Sequence, residues 1–104
     1  MAFYLVCARP KEGQLAELAG KLEQGAFLGL KPFGRELSRS LQDARSQSDG
    51  SAVWEEEDYC SPPLAAERAA VLDRYFENLS VEPVEKSAGW RRIEDLPRLF
   101  EETP

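Results

Sequence analysis

The chain has 104 residues, 42% hydrophobic and 31% charged, which supplies one hydrophobic core and excludes a disordered chain. Thirteen Lys and Arg against nineteen Asp and Glu leave a net charge of −6; such a surface repels phosphate, so nucleic acid and anionic membrane are not expected partners. There is no histidine, which excludes Ser-His-Asp and Cys-His catalysis, His-ligated metal and an imidazole base.

Two cysteines, Cys7 and Cys60, are too few for a disulfide framework or a cysteine-rich zinc site. The apolar N-terminus is short and lacks the basic lead-in of a secretory signal. No stretch reaches the ~18 apolar residues of a membrane span. A cytoplasmic, reducing location with free thiols is therefore expected.

Residues 3–8 are apolar on both faces and read as a central, covered strand, ended by Arg9-Pro10. Leu15, Leu18, Ala19 and Leu22 then share one stripe and predict a helix over 12–24, stopped by Gly25. From Gly25 to Gly34 the chain carries Phe27, Leu28, Leu30 and Phe33, but its glycines and Pro32 forbid a regular element. A loop packed by its own side chains is expected there.

Ser48-Asp49-Gly50-Ser51 marks a hairpin turn, and residues 52–59 read as its downstream strand. The upstream piece, 36–47, has two periodicities. Leu37, Leu41 and Ala44 fit a helix, whereas Leu37, Arg39, Leu41, Asp43 and Arg45 alternate as in a strand. The turn needs a partner strand, which favours a strand for the second half; a helix is the alternative. A two-residue loop at Asp49-Gly50 would set Arg45 opposite Trp54, Leu41 opposite Asp58 and Arg39 opposite Cys60. It would also set Asp43 against Glu56, a like-charge pair that calls for a bulge or a bridging cation.

Ser61-Pro62-Pro63 opens a helix, with Ser as N-cap and Pro at the first position. Leu64, Val71, Leu72, Tyr75, Phe76 and Leu79 form its stripe, to about Asn78. Residues 80–86 follow as a strand that Pro83 places at a sheet edge. The whole chain reads as one domain. Its tail, 89–104, carries Ile93, Leu96, Leu99 and Phe100 at helix-like spacing, limited by Pro97 to a turn or two. That tail is expected to pack on the 1–88 core or on a second subunit.

The order β-α-β-β-α-β gives an α+β fold with the split βαβ, or ferredoxin-like, arrangement and two helices on one face of the sheet. In this element order the chain resembles small ferredoxin-like proteins that pair their bare sheet faces into a dimeric α+β barrel. That group includes cofactor-free monooxygenases, isomerases, dehydratases and regulatory ligand-binding domains. The resemblance implies a homodimer and brings no catalytic residue with it.

The run Glu55-Glu56-Glu57-Asp58 carries the chemical interest. Along a strand, Trp54, Glu56 and Asp58 share one face, and Val53, Glu55, Glu57 and Tyr59 the other. An acid on an interior strand has its pKa raised by desolvation or demands a cation. Glu56 and Asp58 are thus candidate general bases or hard-metal ligands; the plainer reading is a strand wet on one side, its acids paired with arginines. Arg68, at the edge of its helix stripe, is a candidate partner for either acid and the third candidate catalytic residue. Arg39, Arg45, Trp54, Tyr59 and Phe33 are candidate ligand-binding residues, suited to a small organic acid or an aromatic molecule. Lys31-Pro32-Phe33-Gly34-Arg35 suggests a lid or rim with two cations for an anionic ligand, although a plain surface loop is the favoured reading. At Cys60 the following helix favours thiolate and the acidic run opposes it; Cys7 meets Cys60 only if their strands are adjacent. The expected function is a binding or accessory domain that dimerises and holds a small molecule or protein partner, with no cofactor and no metal. The alternative is a cofactor-free enzyme acting on a small organic acid or aromatic substrate.

Overall fold

The computed structural model describes residues 2–100. Strands β1 (Ala2–Pro10), β2 (Arg45–Ser46), β3 (Ala52–Asp58) and β4 (Phe76–Val84) form one antiparallel sheet in the order β2-β3-β1-β4. Helices α1 (Leu15–Glu23) and α2 (Gly34–Gln42) link β1 to β2. Helix α3, over 65–75, links β3 to β4 and consists of Ala65–Glu67, a π turn Arg68–Leu72, and Asp73–Tyr75. Helix α4 (Ala88–Ile93) follows β4. No helix among the described residues is long and apolar enough to cross a membrane.

The core lies on one sheet face. Val6 and Ala8 of β1 and Ala52 and Trp54 of β3 meet Leu18 and Leu22 of α1, Leu37 and Leu41 of α2, and Leu72 and Tyr75 of α3. Trp54 is fully buried and tilts against Phe76, ring centroids 5.2 Å apart. It is a core residue and not the ligand wall expected from sequence. Helix α1 ends as its sequence predicts. Gly25 adopts φ +70°, its N–H bonds Leu22 O at 3.1 Å, and the Ala26 N–H bonds Lys21 O at 3.0 Å. Phe27, Leu30 and Phe33 of the following loop pack against the core. At Gly34 a Cβ would clash with the Phe27 carbonyl oxygen, so the entry to α2 requires glycine.

Three sequence expectations are corrected. Residues 34–42 are helical, because that spacing buries Leu37 and Leu41 fully, whereas alternation would have put Arg39 on their face. The strand expected for the second half of 36–47 is present as the two residues of β2, which suffice as the hairpin's partner. Its loop is also one residue longer than assumed. The Gly50 N–H closes on Gln47 O at 2.9 Å, Gly50 has φ +88°, and the Gln47 N–H meets Ser51 O at 2.9 Å. This is a three-residue loop with a glycine bulge. The pairs are Arg45 with Val53 and Ser46 with Ala52, so the facings proposed for Arg39, Leu41, Asp43 and Arg45 do not form. Finally, α3 starts only after Leu64 (φ +64°) and hands over to β4 at Phe76. Phe76 is a buried strand residue, and β4 is an edge strand containing Pro83, as its sequence implies.

The opposite sheet face is partly covered by the chain itself. Glu55, buried on β3, accepts the Gly89 N–H (2.8 Å) and Trp90 N–H (3.2 Å) at Oε1 and the Ser87 N–H (2.9 Å) at Oε2. These are donors that the first turn of α4 cannot satisfy internally, and an anion is favourable there. A Cβ on Gly89 would lie 2.9 Å from Glu55 Oε1, so glycine lets the helix approach. Farther on, the chain runs beside β2. The Ser46 N–H bonds Pro97 O, the Leu99 N–H bonds Ala44 O, and Arg45 Nη1 bonds Leu96 O at 2.7 Å. Residues 101–104 of the expected tail lie outside the described residues.

Glu55→Ala leaves three buried or half-buried N–H groups without an acceptor. A loss of about 2–3 kcal/mol in urea unfolding is expected, together with protease sensitivity between β4 and α4. Wild-type stability would show that α4 is held by other contacts.

Candidate functional site

Alternation along β3 separates its four acids. Glu55 turns to α4, and Glu57 accepts the Tyr59 hydroxyl at 3.2 Å. Glu56 and Asp58 lie on the core face with Trp54, and both are buried. The indole N–H of Trp54 donates to Glu56 Oε1 at 2.9 Å, while Glu56 Oε2 accepts no hydrogen bond. Asp58 Oδ2 accepts the Leu64 N–H at 2.6 Å and the Cys60 N–H at 3.1 Å. One carboxylate thereby fixes the loop from β3 to α3.

Glu67 completes the cluster. In a regular helix, Arg68 is in phase with Leu64 and Tyr75 and would face the sheet. The π turn over Arg68–Leu72 closes i→i+5 and adds a residue to that turn. The residue in phase with Val71 and Leu72 becomes Glu67, four and five positions earlier. Glu67 is only 1% exposed, and its carboxyl meets Glu56 on one side and Asp58 on the other. Its Oε1 accepts the Cys60 thiol at 3.8 Å, and its Oε2 accepts no hydrogen bond. Arg68 is displaced outward, with Nε 3.0 Å from Asp73 Oδ1. It does not pair with Glu56 or Asp58.

Among the described residues no ion pair compensates these acids. The ion pairs among the described residues join Arg68 to Asp73, Arg74 to Glu17, Arg92 to Glu82 and Arg98 to Asp43. Burial therefore dominates. It pushes the Glu56 carboxyl well above its ordinary range against the pull of the Trp54 N–H, and the neighbouring Glu67 and Asp58 charges add to the rise. Burial and the Asp58 contact push Glu67 up to about 7. At Asp58 burial also acts upward, but hydrogen bonds from Glu67, Leu64 N–H and Cys60 together outweigh it and hold the carboxyl below its usual value. The chain Glu56–Glu67–Asp58 thus keeps its protons at the inner end and its charge at the outer. For Cys60, a backbone hydrogen bond at Ala66 favours thiolate, but burial and the charges of Asp58 and Glu67 raise the thiol above its ordinary value. The acidic run wins over the helix.

The outer end opens into a cleft of about 330 Å³. Phe33 lines it from the loop before α2, and Tyr59 and Cys60 from the loop after β3. Four carboxyl groups, Glu36, Glu57, Asp58 and Glu67, line it with a single guanidinium, Arg35. The structure thus gathers Asp58, Tyr59 and Phe33 at one place, with Glu56 behind them through Glu67. Arg39 and Arg45 belong to a second cleft, of about 450 Å³, with Trp90 and Arg91. There Arg45 Nη1 donates to the Glu94 and Leu96 carbonyls at 3.1 and 2.7 Å. Cys7 stands opposite Val53, at the far end of β3 from Cys60, and donates to Gln47 Oε1 at 3.3 Å. The residue that sequence reasoning missed is Glu67. Its signal was an acid three residues after Leu64 and four before Val71, inside the apolar stripe. No protein-family profile, curated protein or solved structure matches the chain, so the site is read from its own residues.

A carboxyl raised in the folded state favours folding while the unfolded chain is still protonated. Its contribution is complete below about pH 4.5, the ordinary glutamate value, and is lost as the pH climbs toward the folded-state value. Glu56→Gln retains an acceptor for Trp54 and needs no proton. Urea unfolding between about pH 4 and pH 8 in metal-free buffer should show a flatter stability profile for this variant, with its advantage at the alkaline end. Parallel profiles would exclude Glu56 as the titrating group.

Proposed function

We propose that the chain is a small ferredoxin-like binding domain whose cleft, between residues 31–36 and 57–67, holds a small organic cation. The antiparallel order β2-β3-β1-β4, with its helical crossovers, supports the ferredoxin-like reading. The observation that carries the ligand class is the charge of the cleft: four carboxyl groups against one guanidinium, beside the rings of Phe33 and Tyr59. Carboxylates and aromatic faces both attract an ammonium group, and concave clefts are the usual form of a small-molecule site. A small organic acid, suggested by Arg39 and Arg45 in the sequence, has less to recommend it, because both arginines line the other cleft. Such a role needs no activated nucleophile and suits a cytoplasmic setting in which Cys60 stays reduced.

Pairing of two copies remains part of the proposal. The half of the sheet over β1 and β4 carries Phe3, Leu5 and Val84, all half-buried, and is the region a second copy would cover. Light scattering tests it: a mass of two chains supports pairing, and a mass of one removes it. The second functional reading is a cofactor-free enzyme in the same cleft. It is favoured by the continuous carboxyl chain from Glu56 to the cleft wall, which provides a path for a proton. Asp58 and Glu67 would then serve as base and acid, without Arg68.

Amide NMR shifts on titration with benzylamine and with benzoate test the ligand class. Benzylamine is expected to move Phe33, Tyr59 and Cys60, with Phe33→Ala weakening it about two- to fivefold. A response of the cleft to benzoate in place of benzylamine, or to neither, would overturn the reading.

A further inference from the structure

We propose that Asp58, Cys60 and Glu67 form a binding site for a first-row divalent transition-metal ion, zinc above all. One carboxylate oxygen each from Asp58 and Glu67 and the Cys60 sulfur all lie within 4.8 Å of one another. They come from three different settings: the last residue of β3, the loop after it, and the first turn of α3. Their positions are already fixed. Asp58 is held by the Cys60 and Leu64 N–H groups, and the Cys60 sulfur stands 3.8 Å from Glu67 Oε1.

A group of acids does not by itself make a metal site; the decisive observation is what the cluster leaves unsatisfied. Glu67 Oε2 and Glu56 Oε2 belong to side chains only 1% exposed, and neither accepts a hydrogen bond. Buried carboxylate oxygens without a donor are costly. Two such oxygens, on neighbouring carboxyl groups that interact with each other, are satisfied by a proton held between the carboxyls or by a cation beside them. The donor set discriminates among cations. A thiolate is a soft ligand that zinc and its neighbours take readily, at about 2.3 Å, with carboxylate oxygens at about 2.0–2.2 Å. Calcium and magnesium require six or more oxygens and do not select sulfur. Three protein ligands leave the fourth tetrahedral position on the cleft side, and Glu56 lies behind Glu67 as its supporting carboxyl. Binding expels the Cys60 thiol proton, and any proton on Glu67, to solvent. The inference goes beyond the organic-cation reading: it leaves Phe33 unused, and the two cations exclude one another because they draw on the same negative charge.

The test is a cobalt(II) titration of the freshly reduced full chain, followed by displacement with zinc. One equivalent is expected to produce thiolate-to-cobalt charge-transfer absorption, which zinc removes. Cys60→Ala should lose that absorption, and Glu67→Gln should bind cobalt at least about tenfold more weakly. Cys7→Ser and Phe33→Ala should change neither. Phe33→Ala is the variant that separates the two proposals, since it weakens benzylamine and spares the metal. The unaltered protein provides a measurement that needs no variant to fold: zinc should raise its melting temperature, and a chelator should reverse the gain. The proposal is overturned if one equivalent gives no charge-transfer absorption, if the absorption persists in Cys60→Ala, or if no variant weakens binding.

Discussion

An inner β-strand carries four consecutive carboxyl groups, and among the described residues no ion pair joins a Lys or Arg to any of them. Burying charge without a partner is among the most costly arrangements in a protein, and much of the architecture around β3 follows from how that cost is avoided. Glu55 accepts the first N–H groups of α4 and so fastens a helix to the sheet. Asp58 accepts two N–H groups of the loop that starts α3. Glu57 stays at the margin with the Tyr59 hydroxyl. Glu56 has only an indole N–H, and its burial favours the neutral acid.

The strand thereby organises both faces of the sheet. On one face Glu55 draws in α4, and the chain beyond α4 runs along β2. On the other, the Asp58 hydrogen bonds hold Leu64 in its left-handed conformation and set the start of α3. The π turn then rotates Glu67 inward and Arg68 outward. This exchange places a third carboxyl beside two others where a guanidinium would have neutralised them. A site whose purpose was only to stabilise the fold would gain from the opposite choice. The uncompensated acid cluster beside an open cleft is the observation on which both the proposed organic-cation site and the proposed metal site rest.

The two clefts divide the charges of the surface. Arg39, Arg45 and Arg91 gather with Glu36, Asp43 and Glu94 in one, close to balance, whereas the other holds four acids and Arg35. The first is bordered by the tail that Arg45 ties down through two carbonyls. The second is bordered by aromatic rings and by the loop that Asp58 shapes. Charge is thus unevenly divided between these two clefts, and the acidic one adjoins buried carboxyl oxygens that accept no hydrogen bond.

Much of this was legible in the residues. Period-two alternation placed Trp54, Glu56 and Asp58 on one face and Glu55 on the other. Spacing of leucines gave α1 and its stop at Gly25, and Pro83 marked an edge strand. The same local rules failed where two answers were equally consistent with the chain. Leu37 and Leu41 fit both periods, and only the core they bury into selects the helix. Asp-Gly announces a turn but not its length, and one extra loop residue shifted every cross-strand facing. Above all, the sequence by itself determined that β3 would be acidic and that its acids would need partners, because composition and alternation depend only on neighbouring residues. Which partners they found, Glu67 in place of Arg68 and the N–H groups of α4 in place of arginines, was decided by the tertiary structure. A single π turn rotates a whole helix face, and its position is set by packing against the sheet rather than by the residues of the helix alone.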